Sequence, residues 1–560
     1  MTATNKVAVL GGGVAGLSAA HELIERGFDV TVYERRDVFG GKARSMTVPG
    51  SGTGGRADLP GEHGFRFFPG FYKHLTNTLT RIPFGNGTCN DNLVEATQAL
   101  LARNGRPEIT WQGCFPKNLS QWETFLNELF TTNLDIPADQ VAFFVRRLMV
   151  LATSCDARYL AQFENSRFWD FIRAEQMCLN YQRYLGEGFT RSLVAMQAEV
   201  ASTRTVGRIL WQLFYGIFLP DWTFDRLLNG PTNDVWLLAW VKYLTGRGVK
   251  FVSGAALQSL DVNNGALAGA TIEQNGTPAS VQADYYVCAV PVEVMQTLLT
   301  PALCDIAPSL ANLGKLQTAW MNGIQFYLHT DEPLATGHSI YLDSNWALTA
   351  ISQRQFWSGY DLSKYGNGQV GGILSVDISN WTAPGNFDNT PAKDCTTREQ
   401  IKNEVWAQLK AALNNQDPPQ IVDSNLIDWF LDPDIVLPNP PGVPTNCEPL
   451  LINYAGSLQY RPNATTEIPN LFLASDYVQT NTDLATMEGA NEAARRAVNG
   501  ILTMSRSNAP PCQLFTFSYP AVVEAARDMD KIAFAAGLPN FFDLLPDQAN
   551  PSAAATAPES

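Results

Sequence analysis

Apolar and polar positions over the first 34 residues predict two buried strands joined by a helix. Apolar runs at 7–10 and 30–33 flank a stretch in which apolar residues recur with a helical period. Short apolar runs next to glycine are typical of buried strands, whereas a 3.6-residue period is typical of an amphipathic helix. The chain is therefore predicted to open with a β–α–β unit.

The same two patterns organise the rest of the chain. Residues 76–225 are mainly helical in pattern, as in IPADQVAFFVRRLMVLATSC, whereas residues 255–290 alternate as strands do. Residues 300–440 mix strand-like runs with the amphipathic helix EQIKNEVWAQLKAALNN. A short strand at 471–474 precedes a long Ala-rich helix, and residues 513–546 are predicted to dock as a terminal helix.

Three glycines and one acid in the opening unit indicate a ligand. Gly11, Gly13 and Gly16 form the pattern G-x-G-x-x-G after the first strand, and Glu34 ends the second strand. In such a unit the glycines permit a tight turn, close approach of a pyrophosphate, and close helix packing. The helix N-terminus attracts the phosphates and the acid accepts hydrogen bonds from the adenosine ribose. The unit therefore predicts dinucleotide binding.

Two further motifs resemble those of the flavin amine oxidase and carotenoid desaturase superfamily. The first is Gly40-Gly41-Lys42, followed by Arg44, and the second is the strand–Asp476–loop–helix order of residues 469–502. The resemblance implies FAD as cofactor, with Lys42 helping to neutralise the pyrophosphate and Asp476 contacting ribityl or phosphate groups. It also implies that the helix opening at Met487 points at the flavin C2 carbonyl and N1, where its dipole favours negative charge. Ser475 departs from the family, in which glycine is usual at this position.

The resemblance extends to the cofactor contacts and the fold. The predicted cofactor-binding residues are Gly11, Gly13, Val14, Ala15, Gly16, Glu34, Arg35, Gly41, Lys42, Ala43, Arg44, Gly64, Val252, Asp476, Met487 and Ala490. The implied fold class is α/β: a Rossmann-type FAD-binding domain of the glutathione-reductase-2 kind, with an inserted mixed-sheet substrate domain and a helical cap.

The predicted domains interrupt one another along the chain. We expect a discontinuous FAD-binding domain over 1–75, 226–300 and 447–505, and a helical cap over 76–225. A mixed α/β substrate-binding domain is expected over 301–446, a C-terminal docking segment over 506–548 and a disordered tail over 549–560. Such interruptions suit an enzyme that closes a substrate chamber over a large cofactor.

The segment GEHGFRFFPGFYKHL, residues 61–75, resembles zeta-carotene desaturase-like and hydroxysqualene dehydroxylase-like proteins. This resemblance implies hydride transfer between flavin N5 and a large apolar substrate, by desaturation, dehydroxylation or isomerisation. His63 and Arg66 are catalytic candidates: His63 as donor to the flavin or to a leaving hydroxyl, Arg66 as holder of a phosphate or an anionic substrate. Structural roles, in a hydrogen-bonded histidine and an ion pair, are the alternative.

Other interpretations remain open. A flavin amine or amino-acid oxidase shares the fold and needs a polar pocket, which the stretch from Trp346 to Trp357 can supply. For this alternative, Lys315 can mimic the flavin-adjacent lysine of amine oxidases. A non-catalytic flavin-binding protein is a third alternative. The apolar run 209–222 is either a core helix or a tunnel wall or membrane-entry surface.

Composition and charge argue against several classes of binding partner. The 560 residues carry a net charge of −15 and have a pI of about 4.9, which argues against nucleic acid and against electrostatic docking on anionic lipid. The nine scattered cysteines include no C-x-x-C, so no metal site is expected. With neither a secretory signal nor about 18 consecutive apolar residues, the predicted location is cytoplasmic, with peripheral membrane contact as an alternative. No feature of the sequence indicates the oligomeric state.

Overall fold

A computed structural model describes residues 5–112, 134–192, 195–215, 225–438 and 442–544. The chain forms two compact units. The larger comprises Met1–Gly113, Thr223–Ile452 and Gln459–Thr516, and the smaller comprises Cys114–Trp222, Asn453–Leu458 and Phe517–Ser560. The smaller unit and the predicted cap differ at their boundaries, and the predicted domain limits stay a prediction.

The larger unit contains a five-stranded sheet in which every pairing is parallel. Its strands, in spatial order, are Lys250–Val252, Asp29–Tyr33, Lys6–Leu10, Tyr285–Cys288 and Leu471–Leu473. Stretches far apart in sequence thus become neighbours, and all five carboxyl ends lie along one edge. In open parallel sheets this edge is where ligands bind.

The two ends of this unit pack on each other through two helices. Val14–Glu25 follows the first strand, and Met487–Met504 follows the last. The Asn491 amide donates to the Ser18 hydroxyl over 2.8 Å at the buried contact between the helices. The small side chains of both helices permit this close approach, so the opening and closing motifs share one core.

A second sheet of seven strands has two different faces. Its strands, in spatial order, are Leu426–Leu431, Asn322–Leu328, Gly372–Ile378, Leu348–Ser352, Gly337–Tyr341, Gln98–Arg103 and Arg106–Gln112. One face packs on the helix Arg398–Leu413 through residues such as Phe326 and Leu409. The other faces the segment after the first nucleotide motifs, through contacts that include Leu59 and Ile373.

The expectation of a mainly helical segment over 76–225 is wrong for its first part. Residues 93–95, 98–103 and 106–112 form strands, and Asn104-Gly105 joins the last two, which are also the last two of the second sheet. Gly105 has φ +66°, as a tight hairpin turn requires. The Asn-Gly signal between two short strand-like runs was present in the sequence, and the sheet supplies the partner strand 337–341.

The smaller unit is helical where it is described. Its longest helices are Ala138–Thr153, Thr203–Tyr215 and Ala521–Ala535. Asp530 is almost completely buried and binds the Arg158 guanidinium at 2.9 Å, which fixes the predicted terminal helix in this unit. Of the apolar run 209–222, residues 209–215 belong to a helix and the rest lie outside the described residues, as does the tail 549–560.

The described residues include no helix with both the length and the apolar character needed to cross a bilayer.

One buried carboxylate, that of Glu488, joins two helices of the larger unit. Glu488 accepts from the amides of Lys73, His74 and Leu75 at the start of the helix His74–Leu79, over 2.7–2.9 Å. The His74 ring donates to Glu488 from Nδ1 over 2.7 Å, because its Nε2 accepts from the Phe515 amide. Four donors therefore depend on this one side chain.

We predict that Glu488→Ala lowers the free energy of unfolding by about 2–4 kcal/mol, since several buried donors lose their acceptor. Urea unfolding of the full chain measures this change. Glu399→Ala, at an exposed first-turn position of another helix, is the matched control and should change stability by less than about 0.5 kcal/mol. Equal unfolding midpoints for the two variants would contradict the anchoring role.

Candidate active site

The predicted cofactor residues gather at the carboxyl edge of the parallel sheet. Gly11 follows the first strand and Glu34 follows the second. The Gly11 amide donates to the Tyr33 carbonyl over 2.8 Å, and the Glu34 amide donates to the Val252 carbonyl over 2.9 Å. Asp476 lies three residues beyond the last strand. The parallel pairing thus brings together residues spread over most of the chain.

Backbone contacts explain the glycines of the first motif. Gly11 has φ +113°, and a Cβ there would lie 2.7 Å from the Ala289 carbonyl oxygen. A Cβ on Gly16 would lie 1.9 Å from the Gly11 carbonyl oxygen. Neither position can accept a larger side chain, because strand and helix backbones already touch there.

The second glycine motif packs directly against the first. The Gly40 amide donates to the Gly12 carbonyl over 2.8 Å, and a Cβ on Gly41 would lie 2.9 Å from the Cα of Gly13. Gly13 itself has only Gly41 backbone within 4 Å of an added Cβ. Two stretches of bare backbone therefore border the start of the first helix.

That helix start fits a pyrophosphate. Among the described residues, no side chain caps the helix at Gly13, and its first turn contains no acidic residue. Its first amide groups therefore keep unused hydrogen-bonding capacity, and the helix dipole adds partial positive charge. These features suit the anionic pyrophosphate of FAD.

Glu34 is placed for the role predicted from the sequence. Its carboxylate is buried and accepts from the Gly12 amide over 2.8 Å and from the Arg36 amide over 2.9 Å. Each oxygen retains a lone pair for another donor, such as a ribose hydroxyl. The two backbone donors also hold the carboxylate against the first glycine motif.

The arginines near the second motif are engaged by carboxylates of the chain itself. Arg44 binds Asp434 at 2.7 Å and Glu448 at 2.8 Å, and Arg35 and Arg36 also bind Glu448. Burial alone would raise the pKa of Glu448, but the charges of Arg44, His63 and Arg36 hold it well below its usual range. The predicted contacts of Arg35 and Arg44 with FAD stay predictions, since their guanidinium groups already serve as counter-ions.

The 61–72 segment connects the two ends of the predicted cofactor cleft. Arg66 donates to the Lys42 carbonyl over 3.2 Å and to the Arg44 carbonyl over 3.0 Å. At the other end, the amides of Lys73 and His74, next to Tyr72, donate to Glu488 in the first turn of the helix that opens at Met487. The segment thus runs from the second glycine motif to the helix predicted to face the flavin.

Arg66 and His63 occupy buried, paired positions. Arg66 forms an ion pair with Glu62, and the His63 Nδ1 lies 2.8 Å from an Asp432 oxygen. Asp432 and Asp434 with His63 form a group whose ligand atoms lie within 4.8 Å of one another. However, both Asp434 oxygens bind arginines, so this group is part of the ion-pair network. A catalytic role for His63 or Arg66 stays a prediction.

Asp377, which the sequence analysis missed, lies behind the middle of the 61–72 segment. It is on the strand Gly372–Ile378, opposite Gly323, and a Cβ on Gly64 would lie 2.7 Å from its Oδ1. Burial raises the pKa of Asp377 to about 7, although the Arg66 charge and the Phe65 amide lower it and Asp432 raises it further. A carboxyl that titrates near neutral pH in such a place can donate or accept a proton.

A small cleft, with room for about one water molecule, lies beside residues 62–66. It is lined by Glu62, Phe65, Arg66, Leu227, Leu228, Gly230, Thr232, Gln353 and Trp357. Its charged lining residues compensate each other, since Glu62 accepts from Arg66 and from the amide and hydroxyl of Thr232. The remaining wall is mostly apolar and aromatic.

No sequence motif identified the site residues that the prediction lacked. Asp434 and Glu448 lie in irregular chain on either side of the Pro-rich stretch 437–446. The only signal was four cations within residues 35–44, which require carboxylates if they are buried. Lys315 is exposed and lies over the Tyr460 ring at 4.7 Å, away from the cleft-lining residues.

The parallel sheet, the paired glycine motifs and the bare helix start define a dinucleotide-binding α/β fold. The chain belongs to the flavin containing amine oxidoreductase family, whose model matches residues 14–502. It is similar to zeta-carotene desaturase of Synechocystis sp., with 24% identity over 536 residues, covering 89% of this chain and 97% of that protein. A carotenoid phi-ring synthase of Chlorobaculum tepidum is 40% identical over 86 residues, 15% of this chain and 13% of that protein.

Solved structures share the fold at low sequence identity. Cyclohexylamine oxidase from Brevibacterium oxydans has a TM-score of 0.59 at 12% identity, covering 90% of this chain and 100% of that one. An oxidoreductase from Methanosarcina mazei has a TM-score of 0.57 at 13% identity, covering 89% and 100%. A putrescine oxidase has a TM-score of 0.56 at 14% identity, covering 90% and 99%.

These comparisons confirm the predicted superfamily, the α/β fold class and the FAD cofactor. The protein is an FAD-dependent oxidoreductase of the amine oxidase and carotenoid desaturase superfamily. The individual cofactor contacts stay predictions.

We predict that Glu34→Ala weakens FAD retention by about 1–3 kcal/mol, since it removes an acceptor for the ribose and for the Gly12 amide. Equilibrium dialysis of the purified flavoprotein measures the retained FAD. Glu273→Ala, at an exposed strand position, is the control and should retain FAD as the wild type does. Unchanged affinity in Glu34→Ala would remove the ribose assignment.

We predict a specific pH dependence of stability from Asp377. Its folded-state pKa of about 7 exceeds the value of about 3.9 in an unfolded chain, so the folded state holds an extra proton between these values. Stability therefore falls as the pH rises through this window. Asp377→Asn removes this loss, so the unfolding midpoint of the variant, relative to wild type, should rise between about pH 5 and pH 8.

The control for this experiment is Asp428→Asn, on the edge strand Leu426–Leu431 of the same sheet. Its unfolding midpoint should follow that of the wild type across the pH range. A constant difference between Asp377→Asn and wild type at every pH would contradict the raised pKa.

Proposed function

We propose that this protein transfers a hydride between a large apolar, isoprenoid- or polyene-like substrate and flavin N5. The reaction would be a desaturation, a dehydroxylation or an isomerisation. The observation that carries the proposal is the similarity to the Synechocystis zeta-carotene desaturase, which covers 89% of this chain and 97% of that protein. The small cleft beside residues 62–66 is bordered by Phe65, Leu227, Leu228 and Trp357, and its two charged residues, Glu62 and Arg66, form an ion pair.

The similarity to the Synechocystis zeta-carotene desaturase over 89% of this chain supports an apolar substrate. Such a substrate offers few groups for hydrogen bonding, so its binding depends on shape and on burial of apolar area.

The bound FAD and the residues of the chain would have separate roles in the reaction. When bound, FAD supplies the hydride acceptor or donor at N5. Phe65 and Trp357 would exclude water beside the 61–72 segment, and the Glu62–Arg66 pair would hold that segment in place. Asp377, half-buried behind Gly64, would exchange the proton that accompanies removal or addition of a hydride.

A flavin amine or amino-acid oxidase is the alternative. It requires a group that binds an ammonium or a carboxylate, for which the stretch from Trp346 to Trp357 was considered. In the structure, Trp346 is buried in the core of the second sheet, and only Gln353 and Trp357 line the cleft. This arrangement supports the apolar substrate over the amine.

The deciding experiment is anaerobic reduction of the purified flavoprotein by two substrate panels. We expect bleaching of the flavin band near ~450 nm, or product formation, with polyenes or squalenoids and no peroxide release with amines or amino acids. Turnover of an amine with release of peroxide would establish the alternative instead.

A variant tests the cleft. Phe65→Glu places a carboxylate at a half-buried position of the cleft and should lower kcat/KM for the accepted apolar substrate by about 100-fold or more, while the flavin spectrum stays unchanged. Leu238→Glu, at a residue that is 58% exposed, is the matched control and should keep wild-type activity. Equal activity of both variants would place the substrate elsewhere.

A further inference from the structure

Glu293 lies at the predicted cofactor edge and has no assigned role. It is the second residue of the helix Val292–Thr297, which follows the fourth strand of the parallel sheet. One of its oxygens lies 2.7 Å from the Lys42 Nζ. The other, Oε2, is buried and has no hydrogen-bond partner within the described part of the chain. Thus only one of the two carboxylate oxygens has a polar partner among the described residues.

The surroundings of Glu293 connect the predicted cofactor motifs. Lys42 follows Gly41, whose backbone touches Gly13. Four residues before Glu293, the Ala289 carbonyl touches the turn at Gly11. Asp476, on the far side of the edge, interacts electrostatically with Glu293. Glu293 therefore lies between the glycine motifs and the acid of the closing motif.

The charges at this edge do not favour an ionised Glu293 beside FAD. The guanidinium groups of Arg35, Arg36 and Arg44 are engaged by Asp434 and Glu448. Lys42 is thus the cation that faces Glu293, and Asp476 adds a second negative charge. The pyrophosphate of FAD brings further negative charge to the same edge, so an ionised Glu293 would repel it and compete for Lys42.

We propose that Glu293 is a positioning residue that takes up a proton from solvent when FAD binds, so that Lys42 can pair with the pyrophosphate. The proton adds to the carboxylate, and no other bond changes. Burial already raises the pKa of Glu293, although Lys42 opposes this and Asp476 adds to it. Anionic FAD raises it further, so cofactor affinity must fall as the pH rises through the range in which Glu293 ionises.

The experiment is FAD release from the full-length flavoprotein between about pH 5 and pH 9, followed by the fluorescence of free flavin after dilution. For wild type we expect release to accelerate with pH. Glu293→Gln keeps the shape of the neutral acid without a charge, so its release should depend little on pH and be about tenfold slower than wild type at the alkaline end.

Two comparisons sharpen the result. Glu399→Gln, at the exposed second position of the helix Arg398–Leu413, should follow the wild-type profile. Lys42→Met should release FAD faster at every pH, with its pH dependence moved upward, because removing the cation raises the pKa of Glu293.

A wild-type profile that is flat would overturn the proposal, even if no variant folds. A pH dependence that persists in Glu293→Gln would also overturn it. Faster release from Glu293→Gln than from wild type would show that the ionised carboxylate holds Lys42 in place, which contradicts proton uptake. Thermal unfolding of each variant checks that its fold is intact.

Discussion

Contact between bare backbones at the two glycine motifs is the constraint on which the cofactor cleft depends. Gly11 touches the Ala289 carbonyl, and Gly41 touches Gly13. These contacts place the start of the first helix, with its unused amide groups, at the carboxyl edge of the parallel sheet. A Cβ at Gly11 or Gly41 would lie 2.7–2.9 Å from neighbouring backbone and push the parallel sheet and the second motif apart, so the binding of an extended, anionic cofactor depends on the absence of these two Cβ atoms.

The arginines beside this edge of the sheet are neutralised mainly by carboxylates of the protein itself. Arg44 is 3% exposed and shares Asp434 and Glu448 with its neighbours. Buried arginines need such partners, because an unpaired charge in a low-dielectric interior is strongly unfavourable. This ion-pair network joins residues 35–44 to the chain beyond residue 431. It therefore holds the edge of the second sheet near the carboxyl edge of the parallel sheet.

The 61–72 segment sets the chemistry of the candidate active site. Arg66 donates to backbone carbonyls of the second motif, the neighbouring Lys73 and His74 amides donate to Glu488, and Asp377 of the second sheet lies behind Gly64. One side of the segment therefore borders a small cleft with mostly apolar lining residues, and the other borders a carboxyl whose pKa burial raises to about 7. The proposed hydride transfer would use both sides, because it requires exclusion of water and a nearby group that exchanges protons.

The sequence by itself determined the parts whose signals are local. The turn at Gly11, the acid at Glu34 and the strand before Asp476 each follow from spacing along a few residues, because the residues that signal each feature lie within one β–α or β–α–β unit. The partners of Arg44, the place of Asp377 and the orphan oxygen of Glu293 were decided only by the tertiary structure. Their contacts join residues tens to hundreds of positions apart, and a carboxylate carries no pattern that names its future neighbour. Sheet pairing and burial create those neighbours, and with them the charges and pKa values of the site.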